Sequence, residues 1–330
     1  MVAVCGENLI DMVPSEHGKD LFQACPGGCP YNSAIAAARL GVHTWFIGKT
    51  SKDFLGDKII LKLQSSGVDT SLLLRADQAM TLAFVERDPA GNAKYAFYSE
   101  GAADRCYYPE DLPPALPEAC CFMLVGSISL VQEPSGSTIC SLIEREYKKR
   151  LISFDPNVRP SIIKSRAEYL ERFDWICRRS AIVKASDSDL EWIYDMPPAK
   201  AAEKVLALGP ELVAITMGEQ GAMILTKQHH LVSPAKKVQI VDTIGAGDSF
   251  HAALLAGLGW LKVRDRESLA SLSEVNLRAV LRLANSAAAL DCQKRGAEPP
   301  TLRELAIFDP EAARIAPGII PTFNSKEYIC

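Results

Sequence analysis

The chain has 330 residues, of which 48% are hydrophobic and 23% charged, with a formal net charge of −4. That is an ordinary globular balance, long enough for one large α/β core or two domains, and it carries no basic footprint for nucleic acid or an anionic membrane. No apolar run approaches the roughly 18 residues needed to cross a bilayer.

The opening "MVAVCGENLIDMVP" lacks a basic leader and a small-residue cleavage site, so it reads as a first strand rather than a signal peptide. Six of the ten cysteines (Cys5, Cys120, Cys121, Cys140, Cys177 and Cys292) lie in apolar surroundings, where free cysteine behaves as a small hydrophobe. The pair in "CPGGC" has no second pair at zinc-finger spacing. The expectation is a reduced, cytoplasmic protein.

Strand-like and helix-like stretches then alternate. "NSAIAAARLG" is helical and stops at Gly41; "HTWFIGKTS" is a strand; "DFLGDKIILKLQSSG" is a helix ending at Gly67. The order repeats with "ACCFMLVGSIS" (strand), "GSTICSLIEREYKKR" (helix), "LISFDPN" (strand), "YLERFDWICRRS" (helix) and "AIVKAS" (strand). "LEWIYDM" and "AKAAEKVLALG" are helical, and "ELVAITMG" and "GAMILTK" are strands. This alternation predicts a mainly parallel sheet with helices on both faces. "TLAFVERDPAGNAKYAFYSEG" breaks the pattern: two short strands around turn-forming residues make a hairpin. The expected organisation is a single core over residues 1–310. Lid segments at about 11–25 and 80–105 cover it, and 311–330 form a peripheral tail.

The chemistry is concentrated in "DTIGAGDSF", Asp242 to Phe250, followed by the apolar helical run "HAALLAGLGWL". Gly245, Ala246 and Gly247 are small enough for close backbone approach to a ligand. Free N–H groups at the helix start make an anion hole. A carboxylate at Asp248 beside that hole could take a proton from a hydroxyl attacking a phosphoryl donor. The alternative is a helix capped by Asp248 after a glycine turn. "GVHTWFIGKT" misses Walker A spacing because His43 stands at a required glycine, and no Gly-x-Gly-x-x-Gly follows the first strand, which leaves a nicotinamide oxidoreductase unsupported.

The chain resembles the ribokinase (phosphofructokinase B) family of sugar kinases over nearly its whole length. "DTIGAGDSF" is similar to that family's C-terminal signature, and "PGGCPYNSAIAAARLG" to its N-terminal one. "GENLIDMVP", "TLAFV", "KYAFY" and "DPNVR" most resemble bacterial fructokinases. The fold this implies is α/β, ribokinase-like and doubly wound, with a mainly parallel sheet and a small β-strand lid. The implied activity is ATP-dependent transfer of the γ-phosphate to a primary hydroxyl of a small-molecule sugar, fructose to fructose 6-phosphate. Rival readings are 2-keto-3-deoxygluconate kinase, another sugar or nucleoside kinase of the family, and a non-catalytic sugar- or nucleotide-binding regulator. No nucleic-acid or membrane partner is implied; a homodimer through the β lid is.

The resemblance implies residue roles. Asp248 is the general base and Gly245, Ala246 and Gly247 the anion hole. Asp11, Gly27, Gly28, Asn32 and Tyr98 bind the sugar; Asp11 could instead be a strand-end turn residue, and Asn32 a helix N-cap. Arg159, a fixed charged fork after "LISFD", suits phosphate oxygens, with a surface ion pair as the alternative. Ser186, Thr216, Gly218, Gly221, Gly247 and Asn285 meet ATP. Asp189 falls where relatives organise water bound to Mg²⁺. Asp242, Ile244, Cys292, Arg295 and Ala297 fall where some relatives hold a monovalent cation, K⁺. His251, one turn into the helix, reads as a packed residue rather than a catalytic one.

Overall fold

The computed structural model describes residues 1–15, 21–87 and 93–318. The chain runs through β1 (Val2–Cys5), β2 (Leu9–Pro14), β3 (Phe22–Gly27), α1 (Cys29–Arg39), β4 (Thr44–Ser51), α2 (Phe54–Ser65), β5 (Val68–Asp69), β6 (Leu73–Ala76), β7 (Leu82–Arg87) and β8 (Ala93–Tyr98). It continues with β9 (Phe122–Gly126), α3 (Ser135–Glu146), β10 (Leu151–Asp155), α4 (Arg166–Cys177), β11 (Ile182–Ser186), α5 (Asp187–Tyr194), α6 (Pro198–Leu208), β12 (Leu212–Thr216), β13 (Ala222–Leu225) and β14 (His230–Ser233). The last helices are α7 (Ala246–Trp260), α8 (Arg266–Ala270), α9 (Glu274–Asp291) and α10 (Leu302–Phe308).

The large sheet has the order β14-β13-β12-β11-β10-β9-β1-β4-β5, with β6 also on β4. It is parallel except where β13 and β14 join antiparallel. Side-chain alternation sends Val2 and Val4 of β1 into one core and Ala3 and Cys5 into the other, as a strand covered on both faces requires. The first core is closed by α1, α7 and α9, the second by α3, α4, α5 and α6. From β1 the chain moves outward through β4, then returns to β9 and proceeds the other way. That reversal between β1 and β9 is where open α/β sheets place ligands, beyond the carboxyl ends of the strands.

A second sheet, β3-β2-β7-β8, stands apart. The sequence reading of one strand across "VAVCGENLIDMV" is corrected here. The chain leaves the large sheet at Cys5 and enters the small one at Leu9, where β2 pairs antiparallel with β3 and parallel with β7. The expected hairpin is β7 and β8; its turn residues, and residues 16–20, lie outside the described residues. The expected boundary of the tail also moves. Ala312, Ala313 and Ala316 are buried, and Arg282 of α9 binds Asp309 and Glu311, so the chain remains in the core past residue 310. Among the described residues no helix is long and apolar enough to cross a membrane.

Candidate active site

A cleft of about 260 Å³ opens between the small sheet and the carboxyl ends of the large one. Its floor is the start of α7 with Gly245, Gly247 and Asp248. Gly28 and, from α1, Cys29 and Asn32 form one wall, Arg159 and Lys184 another, and Asp11, Tyr95 and Phe97 of the small sheet the roof. Elements far apart in sequence thus meet here because both the sheet reversal and the small sheet deliver them.

Asp248 is the third residue of α7, buried to 9% exposure. It does not cap the helix. Gly245 does, at φ 86°, with no side-chain capping bond; a Cβ there would stand 2.6 Å from the Cβ of Ala297, so the left-handed turn and the close approach both require glycine. Asn32 is likewise no cap: α1 begins at Cys29 after Gly28. Its amide instead donates from Nδ2 to Oδ2 of Asp248 at 2.9 Å. Burial pushes the Asp248 carboxyl up to about 6; the Cys29 thiol, the Lys184 charge and Asn32 pull against that, and Asp155 adds to it. The result is a carboxylate poised near neutral pH beside backbone amides at a helix start, a group suited to accepting a proton.

Asp11 reaches the cleft from β2. Burial raises its carboxyl to about 7, offset by Arg159 and reinforced by Asp248. A Cβ on Gly27 would collide with the Asp11 carboxylate. Gly27 does not itself line the cleft; it makes room for the residue that does. Arg159 donates to the carbonyls of Asn157 and Val158 and lies 5.5 Å from the centre of the Tyr95 ring. Among the described residues it is in no ion pair.

Beneath the floor lies a cluster that sequence reasoning missed. Asp155, fully buried at the end of β10, accepts from Lys184 Nζ at 2.8 Å. The Cys29 thiol and the carboxylates of Asp155 and Asp248 lie within 4.8 Å of one another. His251 is fully buried, bonded through Nε2 to Ser153 Oγ at 2.6 Å, with Nδ1 3.8 Å from Asp155. Burial lowers its pKa while Asp155 pulls it up, and it is packed beneath the start of α7 rather than lining the cleft. One signal was visible: a lysine inside the otherwise apolar strand "AIVKAS" is rarely buried without a charged partner.

The candidate nucleotide residues form a separate group along the same strand ends. Ser186 and Thr216 are register partners at the ends of β11 and β12. Gly218 begins the turn after β12, and Gly221 closes it against Ser233, whose carbonyl also accepts from Asn285 Nδ2 at 3.3 Å. Asp189 forms a capping box with Ser186 at the start of α5; one oxygen accepts from the Ser186 amide at 2.9 Å and the other from Val158 at 2.7 Å. Both its oxygens therefore already hold the loop after β10 to β11. Asp242 accepts from the amides of Thr243, Ile244 and Gly296, and the Cys292 carbonyl accepts from Val241. These contacts, with the packing of Gly245 on Ala297, join the segment around Ile244 to the one carrying Arg295 and Ala297.

Tyr98 is a correction. It is 65% exposed and packs edge-on to Phe84, on the outer face of the small sheet. Strand alternation puts Tyr95 and Phe97 on the inner face instead. Tyr98 and Ser99 border a different cavity of about 550 Å³, beyond Phe97.

Residues 1–304 match the family model described as "pfkB family carbohydrate kinase". A fructokinase of Rhizobium leguminosarum bv. trifolii is 40% identical over 281 residues, covering 84% of this chain and 86% of its own. The structure of a fructokinase with bound ATP from Xylella fastidiosa superposes with a TM-score of 0.86 at 26% identity, covering 94% of this chain and 98% of that one. A fructokinase double mutant from Vibrio cholerae O395, in its fructose-, ADP- and potassium-bound form, gives 0.83 at 25% identity, covering 93% and 97%. A match spanning both the large and the small sheet identifies the whole architecture rather than a motif, and the chain belongs to the pfkB family of carbohydrate kinases.

Proposed function

We propose that this sugar kinase is an ATP-dependent fructokinase, forming fructose 6-phosphate, with Asp248 as the general base. The observation that carries the reading is Asp248 itself: buried at the cleft floor, aligned by Asn32, and held near neutral pKa beside the α7 amides. The 6-hydroxyl gives its proton to Asp248 as its oxygen bonds to the γ-phosphorus. The bond from that phosphorus to the bridging oxygen breaks, and ADP leaves with the electron pair. The amides of Gly245 and Gly247 meet the charge gathering on the transferred group, with the Ala246 amide, now donating to the Thr243 carbonyl at 3.3 Å, turning to join them, and Arg159 meets its outer oxygens.

Asp11, Gly28 and Asn32 hold the sugar, with Tyr95 and Phe97 as an aromatic roof that excludes water when the small sheet closes. Ser186, Thr216, Gly218, Gly221 and Asn285 receive the nucleotide. Magnesium carried on ATP would neutralise phosphate charge, and Asp189, its oxygens already accepting amide hydrogens, would face it only through water. The oxygen-only donors around Asp242 suit a hard monovalent cation such as potassium. The outer face of the small sheet exposes Phe22 and Tyr98 around Phe84, which supports pairing of two copies through it; light scattering tests that. The nine described cysteines are all free, which fits a cytoplasmic location.

The test is ADP release with ATP, magnesium and each of fructose, ribose, keto-deoxygluconate and nucleosides. Sugar-dependent turnover fastest on fructose supports the reading. No turnover with any sugar, despite nucleotide binding, would instead favour a binding regulator.

A further inference from the structure

Lys184 is a lysine in the middle of a buried strand, and the mechanism above does not use it. Its side chain is nearly fully covered, at 5% exposure, yet it lines the cleft. One of its three ammonium donors goes to Asp155 Oδ2 at 2.8 Å. The ammonium lies directly under the start of α7: a Cβ placed on Gly247 would stand 3.0 Å from Nζ. Gly247 is a residue of the anion hole, so whatever sits on those amides sits within reach of Nζ.

The charge around it makes the placement more pointed. Asp155 and Asp248 are both buried carboxyls close to Cys29, burial disfavours a charge on His251, and the phosphoryl group adds further negative charge as it arrives. Arg159 stands on the loop after β10, where its guanidinium is bound to backbone carbonyls and lies over Tyr95. Lys184 is thus the buried cation on the floor side of the cleft, and Asp155 is its tether. A tether is what such a group needs: it fixes a flexible four-carbon stem in one geometry before the substrate binds.

We propose that Lys184 is a catalytic residue of the phosphoryl transfer, its ammonium contacting an oxygen of the transferring group from below α7 while Asp155 positions it. This rests on the reading of Asp248 and the α7 amides as the phosphoryl-transfer site. No bond is made or broken at Nζ; the charge follows the phosphoryl group from ADP to the sugar oxygen, and the proton still goes to Asp248. The same ammonium has a second consequence. The groups facing Asp248 are Cys29 and Asn32 from α1, Asp155 from β10, Lys184 from β11, Asp11 from β2, Tyr95 from β8 and Asp291 from α9, with Arg159, on the loop after β10, lining the same cleft. The Lys184 charge holds the Asp248 carboxyl down, so its removal shifts the acid limb of kcat/KM toward higher pH.

The experiment compares wild type, Lys184→Met, Lys184→Arg and the double variant Asp155→Asn/Lys184→Met, with Asp248→Asn as the control for the site itself. The expected result for Lys184→Met is a fall in kcat of about 100-fold or more, KM for the sugar within about threefold, and an acid limb moved up. Lys184→Arg is expected to restore part of kcat and return the limb. The double variant leaves no unpaired buried charge, so it tests the rate if Lys184→Met alone does not fold; a kcat as low as that expected for Lys184→Met sustains the proposal. A kcat within threefold of wild type in either folded methionine variant, while Asp248→Asn is inactive, overturns the Lys184 assignment and leaves the site intact. Full activity of Asp248→Asn would instead remove the reading beneath it.

Discussion

Asn32 Nδ2 and Asp248 Oδ2 are 2.9 Å apart across 216 positions of sequence, and this bond joins the two signature segments into one site. It places the sugar-facing wall of α1 directly on the carboxylate that would deprotonate the sugar. Asp248→Asn keeps an oxygen that can accept from Asn32. The variant is therefore expected to fold and to bind ATP normally, with kcat reduced about 10²–10⁴-fold, the usual range for a general base. Steady-state kinetics with nucleotide binding by calorimetry checks it; activity within threefold of wild type would remove the base assignment.

The same substitution should stabilise the protein. Burial raises the Asp248 carboxyl from 3.8 to about 6 in the folded state. The folded chain therefore binds this proton more tightly than the unfolded one, and stability falls as pH rises from about 4 through 6. At pH 8 the wild type carries the full cost of a buried carboxylate, at most about 3 kcal/mol. Asp248→Asn escapes it. Its thermal midpoint should exceed that of wild type by a few degrees at pH 8 and match it near pH 3.5. An equal difference at both pH values would mean that the effect is not ionisation.

Turnover should depend on pH in the opposite sense. The base works only when ionised, so kcat/KM should rise with pH through an apparent midpoint near 6 and then level. Asp11, raised to about 7, adds a second step if sugar binding needs its anion. The two are separable: Asp11→Asn should remove the upper step and leave the lower. A profile flat from pH 5 to 8 would contradict the assignment of Asp248.

How much of this was legible in sequence follows from how local each feature is. Gly245 to Asp248 is one contiguous string, and a glycine turn entering a helix leaves a local signature. The Asp155–Lys184–Cys29 cluster is not local: it exists because β10 lies beside β11 and α1 crosses toward α7. Tyr98 failed for a different reason. The hairpin was readable, but which side of it faces the cleft is a matter of parity, and one residue of register reverses every side chain. The split between β1 and β2 was invisible because Leu9 and Ile10 continue the apolar run of Val2 to Cys5, while the intervening Gly6 to Asn8 redirect the backbone to another sheet.

Gly27 offers a test of the sugar wall that touches no functional group. A methyl group there would occupy the space of the Asp11 carboxylate, so Gly27→Ala should push Asp11 out of position. Loss of a charge-assisted hydrogen bond to a sugar hydroxyl corresponds to about 1.5–3 kcal/mol, or about 10–150-fold. KM for the sugar should rise by at least tenfold, with KM for ATP within about twofold. Equal changes in both constants would indicate general distortion rather than displacement of Asp11.

The last prediction is the preference for a neutral ketose over a keto acid. A keto-acid substrate carries a carboxylate at the end away from the reacting hydroxyl, beyond Phe97. Arg105, Lys164 and Arg172 border the cavity there. Both guanidinium groups are committed: Arg105 Nη1 donates to Glu100 at 2.6 Å and its Nε to the Glu133 carbonyl at 3.0 Å, and Arg172 pairs with the Glu133 carboxylate. Ser99, which follows the outward-facing Tyr98, accepts from Gln132 at 2.8 Å and brings no charge. A carboxylate placed beside Ser99 would meet Glu100 and guanidinium groups already paired with Glu100 and Glu133. The absent charge-assisted contact is worth about 1.5–3 kcal/mol, so kcat/KM for fructose should exceed that for keto-deoxygluconate by at least about tenfold. Glu100 is 92% exposed on its side chain, and Glu100→Ala should release Arg105 without disturbing the core. That variant should narrow the gap by improving the keto acid alone, leaving fructose unchanged. A higher kcat/KM for the keto acid in the wild type would overturn the choice of sugar, while phosphoryl transfer at Asp248 would stand.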